Sequence, residues 1–173
     1  MDMLDRAVKA IRAGKTPNLE APLDEGVEIG LGLPALIPDE YLSDVQQRLV
    51  MYKRISSAAT PEALRELQVE MIDRFGLLPD PVKYLFRQAV LRQRAERLGL
   101  QRLEAGPEQG RLRFTSQPTI DPMALIALIQ REPERYRLSG ADTLRFNANM
   151  VDAERRFQVI EALLTELEQR GSP

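Results

Sequence analysis

The sequence predicts an α+β fold: a single compact domain of about five or six helices packed with a small mixed or antiparallel sheet. Three observations lead there. Helical periodicity dominates residues 39–98, and period-two segments gather after Gly99. One more alternating segment, Val27, Ile29, Leu31 and Leu33, precedes the helices. The third is size: at 173 residues the chain is about one domain, and folding at that length buries close to 70% of the unfolded surface.

In chain order, Asp2 to Ala13 sets Leu4, Ala7, Val8 and Ile11 on one helical face, and Gly14 closes the helix. Residues 15–26, rich in Pro, Asp, Glu and Gly, read as a linker. The expected division is therefore a helix and linker over 1–26 and the domain proper over 27–173. The Val27 to Leu33 strand runs into Pro34 and Pro38, which mark an edge strand leaving its sheet. A helix is expected from Asp39 to Ala58 with Leu42, Val45, Leu49 and Tyr52 inward. Thr60 and Pro61 are the cap and first residue of the next helix, which ends at Gly76 and the Leu77-Leu78-Pro79 turn.

Asp80 and Pro81 open a helix to Leu98. It carries Val82, Leu85, Phe86, Ala89 and Val90 on one side and Tyr84, Leu91 and Leu98 on another, so it should touch more than one neighbour. Gly99 stops it. Leu100 to Ala105 and Arg111 to Thr115 flank a Gly106 to Gly110 turn, which predicts a hairpin. Asp121 and Pro122 open a short helix whose Met123 to Ile129 run is apolar nearly all round and is expected to be buried. Thr143 to Phe146 reads as a strand. The last helix, Asp152 to Arg170, should bury Phe157, Ile160, Leu164 and Leu167.

Composition closes most catalytic classes. With no Cys there is no thiol nucleophile or thiolate ligand, and with no His no imidazole base or usual zinc site. Carboxylate, Lys, Tyr or Ser chemistry stays open, but no pair is marked out. Asp39 and Glu40 sit at an expected helix start, where acids favour the exposed amides and the dipole. A net charge of -2 and pI near 5.4 argue against a protein that coats nucleic acid or an anionic membrane, while leaving room for a local basic patch. No apolar run reaches the roughly 20 residues that span a bilayer, and Met1 to Ala13 lacks the apolar centre of a signal peptide. A soluble, cytoplasmic chain without membrane partners is expected.

Two short motifs resemble phosphate-binding loops. Gly14-Lys15-Thr16 lacks the earlier glycine of such a loop and follows a helix rather than a strand, so it reads as a helix cap. Gly30-Leu31-Gly32-Leu33-Pro34-Ala35 interrupts a strand with no helix opening behind it.

Two charged stripes remain. On the helix from Pro61, Leu64, Leu67, Met71 and Phe75 recur on one face and Glu62, Glu66, Glu70 and Asp73 on another; at about 100° per residue the two are roughly opposed. The acid row has only Arg65 and Arg74 at its flanks within the helix, so it faces water or a basic partner. On the next helix Lys83, Arg87, Arg94 and Arg97 form a narrow basic stripe, which fits either solvated surface or contact with nucleic acid. Aromatic residues able to stack bases are few, five Phe and four Tyr, mostly at core spacings.

Three strings carry a family resemblance: Gly32-Leu33-Pro34-Ala35-Leu36-Ile37-Pro38, then Arg48-Leu49 with Tyr52-Lys53-Arg54-Ile55, and above all Glu66 through Pro79. Together they resemble the C-terminal domain of the bacterial transcription-repair coupling factor family (Mfd, TRCF), and the similarity extends from Leu4 to about Gln169. The resemblance implies a non-catalytic fragment without a cofactor of its own, excised from an ATP- and Mg-dependent DNA translocase that displaces stalled RNA polymerase. It implies that this domain folds onto an N-terminal UvrB-like module of the same polypeptide, hides the UvrA-binding surface and restrains the motor. By position it assigns contacts with that module to Glu70 and Asp73, and Glu66 joins them through its place on the stripe. The alternative is a nucleic-acid-contacting module using Lys83, Arg87 and Arg94.

Overall fold

The computed structural model describes residues 26–171 except 117 and 119. The helix expected at Asp2 to Ala13, the Gly14-Lys15-Thr16 motif and nearly all of the 15–26 linker lie outside the described residues. The elements are β1 (Glu28–Gly30), α1 (Val45–Ser57), α2 (Pro61–Phe75), α3 (Asp80–Leu98), β2 (Leu100–Ala105), β3 (Gln109–Phe114), α4 (Pro122–Arg131), β4 (Tyr136–Ser139), β5 (Thr143–Asn147) and α5 (Ala153–Gly171). The fold is α+β with a mixed five-stranded sheet in the order β1-β2-β3-β5-β4. β1 runs parallel to β2, and every other pairing is antiparallel. β1 is the edge strand that the prolines indicated.

Two apolar cores divide the domain. The larger joins the inner face of the sheet, through Leu103, Leu112, Leu144 and Phe146, to α5 and α4 and to Leu91, Ala95 and Leu98 of α3. The smaller joins Met51 and Ile55 of α1 and Leu64, Leu67 and Met71 of α2 to Val82, Leu85, Phe86 and Ala89 of α3. Helix α3 therefore spans both, its N-terminal half in one and its C-terminal half in the other, while Tyr84 turns toward Phe157 of α5 at a ring separation of 5.7 Å. The four core residues expected on α5, Phe157, Ile160, Leu164 and Leu167, are all fully buried.

Buried polar groups lock the layers together. Arg92 donates to the Ser56 carbonyl at 2.8 Å and the Gln93 side chain to the Ala58 carbonyl at 2.9 Å. These donors sit at the C-terminus of α1, where orphan carbonyls and the negative end of the helix dipole favour them. Arg156 of α5 donates to the Leu31 and Met150 carbonyls at 2.6 and 3.1 Å, which fastens the chain after β1 to the start of α5.

Several expectations fail in detail. α1 begins at Val45 rather than Asp39, because Asp44 accepts from the Gln46 and Gln47 amides and the preceding residues turn back on the Pro38 carbonyl. Asp39 and Glu40 are therefore not its cap. Its inward face is Met51 and Ile55, with Tyr52 half-buried; Val45 and Leu49 point to solvent. The hairpin is tighter than expected, with β3 starting at Gln109 and the Gly106 amide donating to the Gln109 carbonyl. α4 buries only Ala124 and Leu128, and Met123 and Ile126 are exposed, so its apolar run is wider than the face that packs. Strand β4, only four residues long with Tyr136 and Leu138 alternating against Arg137 and Ser139, was not anticipated; it pairs with β5.

Gly110 faces the core across from Phe146, and a Cβ placed there would lie 2.2 Å from the ring. Backbone closeness rather than conformational freedom makes it glycine. Gly110→Ala should destabilise the domain by on the order of 1–3 kcal/mol, since a buried ring must move. That corresponds to a melting temperature lower by about 2–12 °C in a calorimetric scan.

Candidate functional site

The acid-striped helix has the polarity read from its sequence. Thr60 accepts from the Ala63 amide, Pro61 takes the first turn, and Gly76 ends the helix at φ 101°, a left-handed geometry that glycine adopts without strain. Leu64, Leu67 and Met71 are buried, and Phe75 packs edge-on to Tyr41 with centroids 6.0 Å apart. The Tyr41 hydroxyl donates to the Gly76 carbonyl at 2.7 Å, which pins the end of the helix to the segment before α1. A rigid rod thus presents the opposite face outward.

That face is not uniform. Glu70 is held by Arg54 of α1 in a two-pronged pair at 2.6 and 2.8 Å, and by Arg74 at 3.0 Å. These hydrogen bonds, from Arg54 first and Arg74 second, pull the Glu70 carboxyl from its ordinary value down to about 2. Arg54 lies 16 residues away on another helix, so beyond the within-helix flanks Arg65 and Arg74 the row meets a basic partner inside the domain. Glu66 and Asp73 are exposed, and among the described residues neither enters an ion pair. Beside them stand apolar side chains that the stripe reading passed over: Val69 is 58% exposed, Leu77 is 85% exposed, and Ile72 also reaches solvent. Val69 falls about 40° from Asp73 on the helical wheel, at the edge of the acid row, a signal available from the same 100° arithmetic.

The basic stripe on α3 does something else. Arg87 bridges Glu154 and Glu161 of α5, the latter at 2.9 Å, and its guanidinium lies 4.3 Å above the Phe157 ring. Burial would lower its pKa, but the Glu161 and Glu154 carboxylates more than offset that and the net shift is upward. Arg94 donates to Glu168 at 2.7 Å and to the Thr165 hydroxyl at 2.8 Å. Arg87 and Arg94 thus form a clamp between α3 and α5 rather than a row of unpaired cations. Lys83 is exposed on the same helix, with no ion pair among the described residues. The two stripes sit on different helices and face different neighbours; nothing brings them into one site.

Among the described residues no group of three or more acids gathers in a way that could hold a metal ion, and no helix is long and apolar enough to cross a membrane. The Gly30 to Ala35 segment forms the end of β1 and an irregular stretch, with no helix N-terminus behind it. The dinucleotide pattern therefore lacks its structural context.

Comparison with known proteins meets this geometry. The family model described as the TRCF domain matches residues 31–125, a span that holds α1, α2 and α3 entire. The transcription-repair-coupling factor of Escherichia coli K12 is 41% identical over 171 residues, covering 99% of this chain and 15% of that protein. Its counterpart in Haemophilus influenzae is 42% identical over 95% of this chain and 14% of that protein. The chain therefore spans about one seventh of the length of these relatives. The crystal structure of the C-terminal domain of a transcription-repair coupling factor superposes with a TM-score of 0.67 at 23% identity, covering 86% of this chain and 99% of that one, a likeness of fold.

The depressed Glu70 pKa sets a pH signature. A carboxylate whose folded pKa lies below its unfolded value stabilises the fold fully above the unfolded pKa, and loses that contribution as pH falls through the folded pKa. The melting-temperature gap between the native sequence and Glu70→Gln should be widest above about pH 4.5 and should shrink as pH approaches about 2. Thermal melts of the two proteins over a pH series check it.

Proposed function

The chain belongs to the transcription-repair-coupling factor family, and from that premise we propose that it is the family's non-catalytic C-terminal autoinhibitory domain. It docks on the N-terminal UvrB-like module of its own polypeptide, masks the UvrA-binding surface and restrains the ATP- and Mg-dependent DNA translocase that displaces stalled RNA polymerase. One observation supports this above the others: the mixed carboxylate and apolar face of α2, where Glu66 and Asp73 carry no ion pair among the described residues and Val69, Ile72 and Leu77 are exposed. Exposed charge beside exposed apolar surface on a rigid helix is the composition of a docking face with a desolvated centre and a polar rim.

Within that reading the three acids differ. Asp73 and Glu66 accept partner arginines directly. Glu70 is already taken, so it acts by exchange: a partner arginine displaces Arg74, which is nearly half exposed, while Arg54 keeps its two-pronged hold. The energetics suit a reversible latch. Exposed carboxylate-arginine pairs contribute about 0.2–1 kcal/mol each, whereas truncating one partner of a desolvated pair costs about 2–5 kcal/mol. Tethering supplies the rest. An effective concentration on the order of 1 mM against a dissociation constant of about 0.1 mM holds the closed form at roughly ten to one.

The alternative, duplex or single-strand contact through Lys83, Arg87 and Arg94, is weakened because α5 carboxylates already neutralise two of its three cations.

In the whole protein, Glu66→Lys with Asp73→Lys should raise UvrA binding by up to about tenfold, the full closed-to-open margin, and should raise basal ATPase activity. The same pair of substitutions should leave the fold intact, because neither residue holds another element. Unchanged UvrA binding in a correctly folded double variant contradicts the latch.

A further inference from the structure

The outer face of the sheet carries an arginine row that nothing in the fold explains. Arg111 of β3 pairs across to Arg145 of β5, and Arg145 pairs across to Arg137 of β4, so three guanidiniums stand directly opposite one another on the solvent side. Like charges at opposed cross-strand positions destabilise a sheet. Arg111 is relieved by Glu104 at 2.9 Å, and in the next row Arg102 and Arg113 are answered by Glu28 and Asp142. Arg145 and Arg137 are exposed and enter no ion pair among the described residues.

The row overlooks a shallow cavity of about 740 Å³ whose rim also holds Arg135 and Glu134 and whose lining includes backbone at Gly30, Gly32 and Gly106. Glycine there lets a ligand approach the main chain closely. Neighbouring strands lie about 4.8 Å apart, so the three arginines span about 10 Å, the axial length over which one nucleic-acid strand presents about three phosphates.

We propose that this sheet face is a contact surface for the phosphate backbone of duplex nucleic acid, with Arg145 and Arg137 as its unneutralised cations and Arg111 as a shared one. What the face lacks selects this occupant. The outward positions of β2, β3, β5 and β4 carry no apolar or aromatic side chain. A protein partner would want a desolvated apolar centre, which α2 offers and the sheet does not. A single strand would want aromatic platforms for its bases. Backbone phosphates want only spaced, unpaired guanidiniums, and they bind without regard to sequence. This surface is on a different element from α2, so it stands or falls independently of the latch.

The test is fluorescence anisotropy of this chain with a labelled duplex of about 20 base pairs, across a salt series from about 50 to 200 mM. Two to three neutralised phosphates give a log–log salt slope of about -2 to -3. Arg137→Gln with Arg145→Gln should weaken binding at least about tenfold at the low-salt end and cut the slope by about 2. Its melting temperature should be equal or higher, since the opposed like charges are gone. Lys83→Gln should change binding little.

Several binding results would overturn the proposal. They are duplex affinity unchanged in the double arginine variant, tighter binding of a single strand of equal length, preference for a polyglutamate peptide over duplex, or no duplex binding at the lowest salt. A lowered melting temperature in the double variant would make the row structural and would count the same way.

Discussion

Helix α3 is shared by two apolar cores, and the other elements take their positions from it. Val82, Leu85, Phe86 and Ala89 close the core beneath α1 and α2, while Leu91, Ala95 and Leu98 close the one over the sheet. A helix buried on one stripe leaves a polar flank, but α3 has contact on several sides, so the polar side chains facing its neighbours find partners inside the fold. Arg92 and Gln93 finish the carbonyls at the end of α1, and Arg87 and Arg94 meet the acids of α5. One helix thereby fixes where α2 projects and which way the open sheet face turns.

Charge separates into satisfied and unsatisfied groups along the same lines. Between elements, Glu70 joins α2 to α1 and Glu161 joins α5 to α3. Toward solvent, the two faces that keep uncompensated charge have opposite sign and different texture. The α2 face is acidic with exposed apolar side chains along its edge; the sheet face is basic with none. A net charge of -2 hides both. The first composition suits a folded partner that presents arginines, the second a phosphate backbone, and the proposed activities follow that division.

Local signals in the sequence reached far into this structure. Pro61 with Thr60, Gly76 and Gly99 set helix limits that hold to the residue, because capping and glycine geometry act within a turn. The two-sided pattern of α3 announced its two neighbours. Long-range contact was invisible. The Arg54 hold on Glu70 spans two helices, and the α5 acids that occupy Arg87 lie about seventy residues away. A basic stripe on one helix looks the same from sequence whether its partner is water, phosphate or another helix. Likewise the four residues of β4 are too short a segment to stand out without the ladder to β5, and the arginine row emerged only when strand order placed Arg111, Arg145 and Arg137 side by side. Where α1 buries Met51 and Ile55 instead of Val45 and Leu49, the helix began six residues later than its pattern suggested, and the intervening turn set its rotation.

The proposed latch is most directly tested by titrating the isotope-labelled chain with the N-terminal UvrB-like module of the whole protein and following backbone amide shifts. Saturable changes centred on Glu66, Val69, Asp73 and Leu77, with smaller ones at Arg54 and Arg74 as Glu70 changes partners, are the predicted result. Shifts confined to the sheet face or to α5, or none at millimolar module, would contradict it.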